Sequence, residues 1–154
     1  MDEPPRIPSD GEETGWLPPG AARLGILASI VGLLTLGSMT APFDFQAQAP
    51  GPWVGTHIVS WPRILGAMLL FVPLGVCEGW LATLILRNHN WVVVVVTIDA
   101  AILSLLGETA QVWLPGRDSS LLELLANTMG GLGGAILAGP TFSAVQRWGK
   151  GGKG

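Results

Sequence analysis

In this chain of 154 residues nearly half of the side chains are hydrophobic and only 12% are charged, about half the charged share of a typical soluble domain. So little polar surface cannot wrap so much apolar material in water, which excludes a soluble enzyme and makes lipid the expected solvent. A net charge of −3 without a long basic block argues against a nucleic-acid partner, and the single cysteine, Cys77, has no partner for a disulfide.

Residues 1–20 carry Pro4, Pro5, Pro8, Pro18 and Pro19 among Asp2, Glu3, Asp10, Glu12 and Glu13. Such a stretch buries too little apolar surface to offset its ordering entropy, so it is expected to be a disordered acidic tail. It lacks the positive start of a signal peptide. Small residues (Ser38, Thr40, Ala41) follow the first apolar run, which keeps a cleaved signal as the lesser reading.

Crossing the hydrocarbon of a bilayer takes roughly 20 helical residues. Four runs meet that length: about Leu24 to Ala41, Arg63 to Leu86, Trp91 to Leu114 and Leu121 to Val145. Backbone groups must be paired within the segment in lipid, so each is expected to be a helix, including the valine run 92–96. Trp61, Trp91, Trp113 and Trp148 stand at the ends of these spans, as headgroup-level aromatics do. The expected architecture is all-α: a four-helix transmembrane bundle over residues 21–148, followed by a basic, glycine-rich tail at 149–154. Four spans put both termini on one side. Arg6, Arg23, Arg87, Arg147, Lys150 and Lys153 share that side, against Arg63 and Arg117 on the other. The positive-inside rule then places both termini in the cytoplasm.

Polar residues gather at the outer ends of the spans. Glu108 and Gln111 share a face of the third, and Glu123 and Asn127 share a face of the fourth. Arg117 lies in the turn between them, Asp44 follows the first span, and Arg63 begins the second. Ionisable side chains in a membrane face a partner or a cavity. One reading is a clamp in which Arg117 satisfies Glu108 and Glu123. The other is an outward-facing pocket, whose mixed charges suit a zwitterionic or headgroup-like ligand. Glu78 and Asp99 lie deeper, on adjacent spans. They are expected either to share a neutral hydrogen bond or to relay protons.

Gly130 and Gly134 form a small-xxx-small pair, expected to pack within the bundle in preference to a dimer. Pro73 and Pro140 are expected to kink or end their helices. His57 and His89 stand alone in loops without ligand spacing, so no metal or other cofactor is expected.

The run ETAQVWLPGR at 108–117, with Glu123, Asn127-Thr128 and Gly130 after it, resembles the VanZ-like family. That family carries a Glu, a Gln three later, an Arg six after that, an acid six further on and an Asn four beyond. PFDF at 42–45 and LFVPLG at 70–75 are similar to its first-loop and second-helix motifs. The resemblance spans most of residues 24–138. It departs from the family at Glu123, where Asp is more usual, at Ser120, a position often acidic, and early in the second span, where many members have an asparagine. The resemblance implies a bacterial plasma-membrane protein with a binding or accessory role at the cell envelope, some members being linked to glycopeptide resistance. Membrane lipid and a membrane-protein partner are the expected companions. A small transporter and an assembly subunit of a larger complex remain open. No Ser/His/Asp, Cys/His or metal set argues for an enzyme.

Overall fold

The computed structural model describes residues 20–41, 45, 60–86, 88–114 and 119–151. Asp44, Arg117, Arg87, His57 and residues 1–19 and 152–154 lie outside them, and so does PFDF except Phe45. Among the described residues the chain forms four helices and no strand: α1 (Ala21–Thr40), α2 (Trp61–Ile85), α3 (His89–Gln111) and α4 (Leu121–Gly151). All four are long and apolar enough to cross a membrane.

Local chemistry accounts for the ends. Pro62 sits in the first turn of α2, where a missing N–H is harmless. The Asn88 side chain caps α3 by accepting from Asn90 N at 2.9 Å. His89 therefore opens a helix where the sequence reading has a loop. α3 stops earlier than expected, because Val112, Trp113 and Leu114 donate three residues back, to Thr109, Ala110 and Gln111. That tighter winding uses up carbonyls the helix would otherwise leave open.

Neither proline ends its helix. α4 runs eleven residues beyond Pro140, and α2 continues through Pro73. Proline frees a carbonyl one turn back, which is tolerable in lipid when a hydroxyl re-engages the backbone nearby. Beside Pro140, the Thr141 hydroxyl donates to Leu137 O at 2.6 Å.

α1 and α3 run one way, α2 and α4 the other. Met68 and Gly79 of α2 meet Gly130 and Ala138 of α4 in the same order, whereas His89 and Ser104 of α3 meet Gly139 and Asn127 in reverse. The α2–α4 pair is the most extensive, and it is made by missing side chains. A Cβ on Gly75 would strike Gly131 O, one on Gly130 would strike Met68 O, and one on Gly134 would lie 2.8 Å from Val76 N. Apolar burial drives no association between helices already in lipid, so close backbone packing takes its place. The Gly130–Gly134 pair thus packs inside the bundle, Gly130 against Met68 and Phe71 and Gly134 against Val72 and Gly75 of α2. Trp80 closes the far end of this seam: its Nε1 donates to Thr141 Oγ1 at 2.9 Å, and its ring lies 6.4 Å from that of Phe142. Trp80→Phe should lower the unfolding free energy by about 1 kcal/mol, the worth of one such hydrogen bond, in a thermal melt in detergent.

α1 is peripheral. It packs on α2 and α3 and presents Ile26, Ile30, Leu33 and Leu34 to the surroundings, as a lipid-facing helix does.

Candidate functional site

α3 sets Ser104, Glu108 and Gln111 on one stripe by their spacing of four and three residues, and all three are buried. α4 presents Glu123 and Asn127 to that stripe from its first two turns, also buried. α2 adds Arg63 from its first turn, and the end of α1 adds the main chain at Met39. The polar cluster therefore sits at the end of the bundle opposite the termini.

Each member has a definite anchor. Glu108 Oε2 accepts from Ser120 N at 2.8 Å, just before α4 begins. A carboxylate there meets the positive end of the helix dipole and one of its open N–H groups. Glu123 forms an ion pair with Arg63, whose Nη2 donates to Glu123 Oε2 at 3.2 Å. Asn127 Nδ2 donates to Ser104 Oγ at 3.0 Å, and Gln111 Nε2 donates to Met39 O at 3.0 Å. The last bond fixes the orientation of the amide. A backbone carbonyl only accepts, so the Gln111 nitrogen must face Met39 and its oxygen must face away.

Between these groups lies a cavity of about 150 Å³, lined by Met39, Arg63, Leu70, Gln111, Glu123 and Asn127 among others. Gln111 Oε1 and Asn127 Oδ1 are buried at its edge with no hydrogen-bond partner among the described residues. Both side chains are 98% enclosed, where an unused acceptor is costly. The Arg63 side chain, 40% exposed, forms the accessible rim.

Of the residues expected at this site, Arg63, Gln111, Glu123 and Asn127 line one cavity. Glu108 belongs to the same cluster but turns its carboxylate to the start of α4. Asp44 and Arg117 lie outside the described residues. Glu123 is held by Arg63, 60 positions away, and Glu108 by a backbone N–H; the expected clamp through Arg117 falls outside the described residues. Ser104 is the partner the sequence reading missed. It stands one turn before Glu108 on the same face, a spacing that marks it.

Glu78 and Asp99 are far from this cluster and close to one another. Their carboxyls interact, and both line a separate groove between α1, α2 and α3. Asp99 is exposed to that groove whereas Glu108, half a turn away around α3, is buried.

Residues 24–142 match the family model described as VanZ/LLP1. No curated protein and no solved structure matches the chain.

Proposed function

The chain belongs to the VanZ/LLP1 family of multi-pass membrane proteins, and we propose that its polar cluster is a binding site for a small zwitterionic headgroup. In this reading the protein lies in a bacterial plasma membrane with both termini in the cytoplasm, and the site opens outward. Its role is to bind at the cell envelope and assist there, in keeping with a link to glycopeptide resistance.

The observation that carries the reading is the pair of buried, unused acceptors, Gln111 Oε1 and Asn127 Oδ1, beside the rim guanidinium of Arg63. An ammonium brings N–H donors to the acceptors, and a phosphate or carboxylate on the same molecule meets the fork of Arg63. At about 30 Å³ per water, the cavity has room for about five waters, enough for the end of a headgroup and too little for a peptide.

The test uses the full chain in nanodiscs and titrates it with phosphoethanolamine, phosphocholine and inorganic phosphate. Phosphoethanolamine should bind at least about tenfold more tightly than phosphocholine, which has no N–H to donate. Gln111→Met should remove that preference with little loss of volume. Equal affinity for all three probes in the native protein would overturn the reading.

Orientation has its own test. With Cys77 replaced by Ala, an impermeant thiol reagent applied to intact cells should modify Ser60→Cys and spare Gln146→Cys. Both positions are exposed, at opposite ends of the bundle. The reverse pattern would place the termini outside.

A further inference from the structure

A hollow larger than the polar pocket lies elsewhere in the molecule. It is a groove of about 770 Å³ between α1, α2 and α3, and it shares no lining residue with the pocket. A plug of apolar side chains, Met39, Phe71 and Leu74 with Leu70 and Leu103 against them, lies between the two. On the α1 side the groove is hollowed by small residues: Gly25, Ala28, Ser29 and Gly32. Its other walls are Leu, Ile, Val and Ala, apart from two carboxyls, Glu78 from α2 and Asp99 from α3.

Its dimensions select the occupant. Gly25 to Leu36 is eleven helical steps, so the groove is about 17 Å long at about 1.5 Å per step. That length and volume admit an extended hydrocarbon chain.

Its polarity narrows the occupant further. The Glu78 and Asp99 carboxyls interact with one another at hydrocarbon depth, and none of the described residues lining the groove is basic. Glu78 Oε2 is buried without a hydrogen-bond partner among the described residues. Two acids in mutual contact within a membrane are costly, and a cation between them offsets the cost. A primary ammonium has three N–H donors and no acceptor. Three oxygen-bearing side chains line the groove: Glu78, Asp99 and Ser29. A fatty acid would instead bring a third carboxylate.

We propose that this groove is a second binding site, which takes a single-chain amphiphile bearing a primary amine, with its chain along α1 and its ammonium between Glu78 and Asp99. The site is independent of the headgroup reading of the polar pocket. It makes the protein a receptor for long-chain amines within the membrane.

The experiment uses the full chain in phosphatidylcholine nanodiscs and a photoreactive alkylamine, with labelled residues mapped by mass spectrometry. Adducts should fall on residues 25–36 and on the facing parts of α2 and α3. Hexadecylamine should compete at least about tenfold better than hexadecanol, the gain of a charge-assisted hydrogen bond. Glu78→Gln with Asp99→Asn should abolish that preference. Gly32→Leu leaves the carboxyls intact and fills the groove. A Cβ there meets only Leu74 Cδ1, at 3.7 Å, an ordinary contact, and labelling should fall about tenfold in protein that a thermal melt shows to be folded. Equal competition by hexadecanol would show ordinary chain packing. That result, a preference surviving in the double variant, or labelling undiminished by Gly32→Leu would each overturn the proposal.

Discussion

Gly134→Ala is expected to disrupt the bundle, while Gly133→Ala, one residue away, leaves it intact or slightly more stable. The two changes add the same methyl group to the same helix. At position 133 it meets nothing within 4 Å, and alanine is the better helix former by up to about 1 kcal/mol. At position 134 it meets Val72 O and lies 2.8 Å from Val76 N and 2.9 Å from Gly75 C. Those are main-chain atoms of α2, and no rotamer change can move them aside. The helices must separate, which undoes the Gly75–Gly131 and Gly79–Ala138 contacts as well. Overpacking usually costs about 1–3 kcal/mol, and a rigid backbone wall puts this case at or above the top of that range. Melting curves in mild detergent, read beside gel filtration, measure it. A Gly134→Ala protein as stable as Gly133→Ala would mean that α2 and α4 do not pack through this seam.

Arg63→Met should have the second-largest effect. It removes the guanidinium from a carboxylate, Glu123, that is 93% enclosed. Breaking a fully buried pair costs about 3–5 kcal/mol, and the partial exposure of Arg63 lowers the expected loss to about 2 kcal/mol. Glu123→Gln in the same background should recover part of it, giving a coupling of about 1 kcal/mol or more in a double-mutant cycle. Arg63→Lys should recover less than the full pair, because a single ammonium cannot reproduce contacts made through both Nε and Nη2. If the cycle shows no coupling, the pair does not stabilise the fold. Headgroup binding is read separately, since Arg63→Lys stays folded and keeps the charge.

How far the molecule was legible beforehand depends on what each feature leaves in the chain. The spans were legible because lipid requires long apolar runs, and Trp61 and Trp91 stand at helix ends, 76% and 61% exposed. The polar cluster was largely legible because Glu108, Gln111, Glu123 and Asn127 repeat at helical spacing, and spacing alone puts them on common faces. Their partners were less so. Glu123 takes Arg63 from another helix, 60 positions away, and proximity along the chain says nothing about that. Gln111 bonds the carbonyl of Met39, and Glu108 the N–H of Ser120. Every residue has such groups, so no residue type announces them. The glycine seam was half legible: Gly130 and Gly134 drew notice, whereas Gly75 and Gly79 show their meaning only once α2 is known to face α4. The prolines misled because both helices run on through them, α2 through Pro73 and α4 through Pro140.

The four helices are unequal, and the surrounding bilayer registers this. α4 has 31 residues and α1 has 20, or about 46 Å against about 30 Å of axial length. A hydrocarbon slab of about 30 Å leaves α1 no surplus, while α4 carries Trp148, 89% exposed, well past the slab. In a thicker membrane the long helices can tilt or draw in their ends, but α1 can match it only if the lipids beside it shorten. The thinning would fall on one flank alone, the flank that holds the groove. Membrane thickness thereby acts on this protein as a lateral load, borne by its shortest and least packed helix.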